Sequence, residues 1–436
     1  MAITFAITCF SEKHRRFNKL VLEGKRKFRE GKTGFFMTQT CPFIIGVGRT
    51  KFGEHYEREP EKLIEEAWLK ASESAGIERK NLDAGYFADY FLQITNKIGI
   101  EEGFLSELTE LHIPMEKTRS FSSALSNACN AIQSCKYELA LVGGVEKMTD
   151  RWDKIRDDLM LLEDPWSYYA GCTPEANHEL MLREYIKKYN ISGSQLETLN
   201  TALAQIAVKN HKNALKNEHA QYQREISVET VLKERKKANK PLGLYDFAPV
   251  SDGATALILA SSEMARKHGN KTVCVVGSAS ASDYVTYPAR EERTGFTAST
   301  IAMKNALKMA NIKVDDIHLA EVYDQSTFLE MVSLEDLGFS KRGWAWQDIA
   351  ESLKENQSFY RMNGKELFVN TDGGLKADGN PLGATGGAQI YEVVKQLKGE
   401  ANDRQVKTSS DLKYGCVLEL EGFGTKAYVH ILKRGD

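Results

Sequence analysis

The chain's candidate nucleophiles are seven cysteines, Cys9, Cys41, Cys129, Cys135, Cys172, Cys274 and Cys416. A thiolate attacks acyl carbon readily when a neighbouring base or cation keeps it deprotonated. The seven are odd in number and scattered, with no Cys-x-x-Cys pair. That spacing argues against a disulfide framework and against zinc held by paired cysteines. Nine histidines are equally dispersed and make no His-x-x-x-His pair, so no metal site is expected. Cys129 shares a helical face with Leu125 and Ile132, which reads as core packing, with an approach to a reactive site as the alternative.

Lys and Arg number 58 against 60 Asp and Glu, a formal net charge of -2. Such a balance offers no field to attract nucleic acid or an anionic membrane. The basic run KERKKANK at 233–240 lacks the aromatic residues that would stack on bases and reads as a charged loop. At 42% hydrophobic and 27% charged, the 436 residues suit a globular chain with more than one core. No apolar run approaches the roughly 18 residues of a membrane span.

Residues 1–36 differ from the rest, with an apolar start followed by dense Lys and Arg. The order is reversed for a secretory signal, and Glu12, Glu23 and Glu30 do not suit a mitochondrial presequence. The stretch reads as a basic extension, disordered or translated from a wrong start, before a cytoplasmic body that begins near Cys41.

Gly-bearing apolar runs at 43–48, 139–145, 256–260 and 273–279 read as buried strands, and EKLIEEAWLKASESAG at 61–76 as a helix stopped by Gly. Alternating strand and helix predicts α/β layers. The chain also matches itself: residues 71–90 align without gaps on 306–325, placing Ala71 on Ala306, Ala75 on Ala310 and Asp89 on Asp324. Two related halves, about 40–265 and 270–434, are therefore expected. A charged, helix-forming insertion at about 150–245 would form a lid or loop domain.

Four motifs carry a resemblance over Cys41 to Lys433: VKNHKNALKNEHAQYQREISVETVL (208–232), PVSDGATALILAS (249–261), LEDLGF (334–339) and GGLKADGNPLGATGGAQI (373–390). The chain resembles the thiolase superfamily, in its archaeal and sterol-carrier-protein type. The resemblance implies a five-layered αβαβα subunit of two related halves plus an inserted helical loop domain. It implies a dimer, lipid metabolism, and coenzyme A thioesters as substrates with no bound cofactor. In the family a cysteine takes the acyl group, a histidine keeps it deprotonated, and a second acid/base handles the α-proton of the other thioester.

The catalytic motifs depart from that pattern. Counting back from ALVGGVEKM (140–148) puts the nucleophile position at Thr118, with Cys129 the nearest thiol but well inside the helix. The family's Gly-His-Pro is Gly379-Asn380-Pro381 here, and an amide cannot take a proton at neutral pH. The second acid/base position falls on Leu418, beside Glu419 and Glu421, which read as surface charge with a proton-transferring carboxylate as the alternative. Cys416 lies two positions away. The family's His-Asp becomes Tyr323-Asp324, where Tyr323 reads as a strand-end packing residue or, if its pKa is lowered, an acid/base. His211 reads as a packing residue or a coenzyme A contact, with Gly379 and Gly383 on the coenzyme A side. Lys209, Lys212 and Lys216 read as a solvated helix face or as phosphate contacts.

The expected function is an acyl-CoA-binding protein of the acetyl-CoA acetyltransferase type, impaired or non-catalytic. One alternative is a non-catalytic partner of an active thiolase, of a hydroxymethylglutaryl-CoA synthase, or of a small zinc-ribbon/OB-fold protein. Another is a Tyr323-dependent retro-aldolase on a coenzyme A thioester. A sequence error hiding a true cysteine before residue 120 is a third reading, opposed by Asn380 in a well-kept motif.

Overall fold

The computed structural model describes residues 41–435, apart from 152, 270–271, 355–357 and 409–410. The basic extension expected at 1–36 lies outside the described residues.

Eleven strands form one hydrogen-bonded sheet: β1 (Phe43–Arg49), β2 (Ala84–Ala88), β3 (Met115–Thr118), β4 (Leu139–Glu146), β5 (Gly253–Ala260), β6 (Val273–Ser282), β7 (Leu319–Glu321), β8 (Tyr360–Met362), β9 (Lys365–Val369), β10 (Tyr414–Glu421) and β11 (Lys426–Arg434). Their order is β3-β2-β4-β5-β1-β6-β11-β10-β7-β9-β8. Reading outward from the centre, β1-β5-β4-β2-β3 is matched by β6-β11-β10-β7-β9. The pairing senses match too. In each half the central pairs are antiparallel and the outer pairs parallel. The chain is thus an α/β protein of two related halves. They join through antiparallel pairing of β1 with β6 at Phe43–Cys274 and Ile44–Val273.

Helices complete the layers. Helix α1 (Pro60–Ala75) covers β1 and β5, and its counterpart α5 (Thr297–Ala310) covers β6 and β11. Between the halves lie α2 (Phe121–Gln133) and α7 (Leu382–Lys398), which touch each other and strands of both halves. The order is helix, half-sheet, paired helices, half-sheet, helix. Glycines permit the close approach: Gly46 and Gly48 leave α1 room at Ala71 and Ala67, and Gly277 does the same for α5 at Ala306. The repeat extends to the helix stops, with left-handed Gly76 (φ 63°) ending α1 and Asn311 (φ 54°) ending α5. Between β4 and β5 sit α3 (Pro174–Lys188) and α4 (Ser194–Ala214), with α6 (Thr327–Asp336) of the second half packed against both.

One cysteine expectation is corrected. Cys41 and Cys274, 233 residues apart, are disulfide-bonded, with Cα atoms 6.4 Å apart. Sequence spacing does not reveal the pair because only the β1–β6 ladder brings the two together, placing Cys274 opposite Phe43. No helix of the described residues is long and apolar enough to cross a membrane.

Candidate active site

The two central helices present their N-termini to the same region: Thr118 lies just before α2 and Asn380 just before α7, while Leu418 does not share it. Thr118 ends β3. Its hydroxyl faces two backbone carbonyls, Ser120 O at 3.1 Å and Phe87 O at 3.3 Å. Ser120 caps α2 through its hydroxyl, which accepts the Ser123 N–H. Cys129 lies deep in α2 at 2% exposure, in the core between the halves with Leu125 and Ile132. Burial pushes its thiol up to about 12, and Cys416, buried on β10, is pushed up to about 12 as well. Neither is ionised at neutral pH, so neither can serve as a thiolate where it stands. Cys135 is exposed and Cys172 partly so.

Asn380 occupies the turn that leads into α7. Its backbone N–H donates to Ser251 Oγ at 2.9 Å, and Thr385 donates its hydroxyl to Asn380 Oδ1 at 2.8 Å. The side chain then has its N–H group left to offer, in hydrogen-bonding reach of Tyr323. Gly379 precedes it at φ 123°, a conformation open to glycine, with Phe52 and Ser251 where a Cβ would stand. Gly383 donates its N–H to Glu146 Oε2 at 3.1 Å and touches the backbone of β4. These two glycines shape the turn and the packing of α7.

Asn380 also ends a cavity lined by Met148, His178, Phe247, Gln325 and Leu382, with Arg156 and Glu175, 3.8 Å apart, at its mouth. His178 was not among the sequence candidates. Its Nδ1 lies 2.8 Å from Ser326 Oγ, and burial drives it down to about 3, so it is neutral. A lone histidine on a charged helix gave no signal. A separate, mostly apolar crevice lies between α1 and the first half's strands, lined by Ile64, Trp68, Phe87 and Leu105.

Several expectations change here. Glu419 and Glu421 are not surface charge. They are 1% and 7% exposed, on the face of β10 turned toward the paired helices. Ser122 donates its backbone N–H to Glu419 Oε2 at 2.7 Å, and Ser120 donates its hydroxyl to Glu421 Oε1 at 2.6 Å. Burial raises Glu419 to about 7. Tyr323 does not have the lowered pKa that would make it a base. Burial first and Glu419 second raise it, and Tyr90 is raised by burial with Glu421 and Tyr323 nearby. Leu418 is buried on the opposite face of β10.

His211 does not line the cavity that ends at Asn380. It is 1% exposed, stacks on Tyr222 with ring centroids 6.1 Å apart, and lies 3.0 Å from Arg224 O. Lys209 is neither solvated nor placed for phosphate. It is buried against Glu330 at 3.0 Å and donates to Val369 O at 2.7 Å, while Lys212 and Lys216 are exposed. Among the described residues no group of His, Cys, Asp or Glu is arranged to hold a metal ion.

Residues 42–263 match the thiolase N-terminal domain and residues 279–434 the thiolase C-terminal domain. The chain belongs to the thiolase family. This thiolase homologue is 35% identical over 400 residues to the acetyl-CoA acetyltransferase of Methanothermobacter thermautotrophicus, covering 90% of this chain and 99% of that one. It is 30% identical over 387 residues to sterol carrier protein 2 of Homo sapiens, covering 84% and 67%. Among solved structures it resembles the "Ltp2-ChsH2(DUF35) aldolase" at 23% identity and TM-score 0.73, covering 90% and 98%. It also resembles human mitochondrial 3-ketoacyl-CoA thiolase at 19% identity and TM-score 0.65, covering 91% and 99%. At those identities the two structures attest the thiolase fold.

Proposed function

We propose that the chain binds an acyl-CoA thioester in the cavity that ends at Asn380 and forms no cysteine-bound acyl intermediate there, so that thiolytic acyl transfer is impaired or absent. The observation that carries this reading is the state of the thiols. Where the family resemblance expects a nucleophile stands Thr118, with its hydroxyl turned to backbone carbonyls. The nearest helical thiol, Cys129, is locked in the core with its proton. A hydroxyl needs a stronger base than a thiol, and Asn380 is no base. The relatives named acetyl-CoA acetyltransferase support a coenzyme A thioester as ligand.

A second reading is favoured by the Tyr323–Asn380 pair: a phenol that burial keeps protonated lies within hydrogen-bonding reach of the amide that ends the cavity, and donors of this kind suit an oxyanion. That pairing suits aldol cleavage of a coenzyme A thioester, and the aldolase named among the similar structures agrees with it. That aldolase's name couples Ltp2 with ChsH2(DUF35), which supports a hetero-oligomer as an alternative to a homodimer.

The test assays acetoacetyl-CoA thiolysis by the purified chain, alone and as Cys129→Ala, Tyr323→Phe and Asn380→His, with acyl-CoA binding measured by calorimetry. Binding without turnover is the expected result. Turnover that vanishes in Cys129→Ala would overturn it.

A further inference from the structure

A second cavity, of about 270 Å3, lies where the end of α4 meets the second half, and it shares no lining residue with the one that ends at Asn380. Arg404 is set deep in its wall. The side chain is 8% exposed, Nε and Nη2 each meet Glu392 Oε2 at 3.0 Å, and Nη1 donates to Lys216 O at 3.4 Å. That last bond places Lys216 beside the guanidinium, and Lys407 follows three residues after Arg404. Both lysines are exposed, and among the described residues neither forms an ion pair. Against these three cations stand Asp403 in the lining and Glu392 behind Arg404, so the cavity keeps an excess of positive charge. Another part of the wall is aromatic. Phe359 and Phe368 have ring centroids 5.5 Å apart, and the Arg361 guanidinium carbon lies 5.9 Å from the centre of the Phe359 ring. The walls are held in place by hydrogen bonds. Gln396 in the last turns of α7 accepts the Val406 N–H at 3.0 Å and donates to Arg404 O at 2.8 Å, while Asn213 donates to Asn370 O at 2.9 Å. Surface lysines alone make no site. Here they flank a nearly buried guanidinium and two phenyl rings around one volume.

We propose that this cavity binds a phosphate monoester carried on a flat ring, the chemical class of a nucleoside monophosphate. The phosphate sits among Lys216, Lys407 and Arg404, and the ring lies against Phe359 and Phe368. The class follows from the lining. A doubly charged phosphate relieves the repulsion among two ammonium groups and a guanidinium, and it offers each of them an acceptor oxygen. A flat ring covers the half-buried Phe359 and gains offset or edge contacts with both phenyl groups. The volume, near the lower end for small-molecule sites, suits a ligand of that size. Because the two cavities have separate linings, this ligand and an acyl-CoA bind at the same time.

The experiment titrates AMP into the full chain by calorimetry at low salt, with inorganic phosphate, adenosine and coenzyme A as separate arms. AMP is expected to bind at a single site, at least ~10-fold more tightly than inorganic phosphate or adenosine, and to weaken as salt is raised. The double variant Lys216→Ala, Lys407→Ala is expected to weaken AMP at least ~10-fold with its thermal melt unchanged, because both side chains are exposed. Phe359→Ala is expected to weaken AMP and leave inorganic phosphate unaffected, a split that positive charge alone does not produce. Saturating coenzyme A is expected to leave AMP affinity as it was. No binding of AMP, equal binding by the double variant, or displacement of AMP by coenzyme A overturns the assignment.

Discussion

Ser122 and Glu419, 297 residues apart, are joined by a 2.7 Å hydrogen bond from the backbone N–H that opens α2 to a carboxylate on β10. A strand of the second half thereby holds the end of a helix from the first. The bond also sets a buried carboxyl group at the positive end of α2.

That burial has a pH signature. Folding raises Glu419 from the usual carboxylate range to about 7. The folded state therefore favours the protonated acid. The contribution is most favourable below the unfolded pKa and is lost as pH climbs toward 7. Replacing the group by Gln removes the dependence. Against wild type, Glu419→Gln should gain about 3 kcal/mol in relative stability between pH 4 and pH 8, read by denaturant melts at each pH.

A buried ion pair ties the start of the chain body to the glycine-rich turn. Arg49 on β1 and Asp378 before Gly379 approach to 2.8 Å, both nearly inaccessible, and Asn217 donates to the same carboxylate at 3.0 Å. Removing one partner strands the other. Arg49→Met should cost about 3–5 kcal/mol in urea unfolding.

Thiol reactivity should sort by burial. Under native conditions Ellman's reagent should label Cys135 readily and Cys172 more slowly, and leave Cys129 and Cys416 untouched until the chain is unfolded. Cys129→Ala should lower stability by about 1 kcal/mol through lost packing and leave acyl-CoA affinity unchanged.

The Cys41–Cys274 bond closes a very long loop. Cys274→Ser should cost about 2–4 kcal/mol under oxidising conditions and little once wild type is reduced, measured by thermal melts with and without reductant.

The layers could be read from short apolar runs with glycines and from one internal match, since these patterns report what packs on what. The position of the carboxylates could not. Leu418-Glu419-Leu420-Glu421 alternates as a half-exposed strand does, apolar inward and polar outward. Here both faces of β10 are covered, one by the core around α5 and the other by the paired helices. The alternation separates an apolar interior from a polar interior, and local sequence does not distinguish the latter from solvent. Lys209 misled for the same reason: its partner Glu330 comes from α6, far along the chain.

The twofold arrangement of strands supplies a comparison within a single molecule. Glu146 closes β4 as Glu421 closes β10, and it is saturated by the N–H groups of Tyr90, Phe91 and Gly383. One half thus closes its strand with a carboxylate held by three backbone N–H groups, the other with one held by the Ser120 hydroxyl. Any effect common to the Glu146 and Glu421 variants can be ascribed to holding the scaffold together. Only what separates them reports on chemistry.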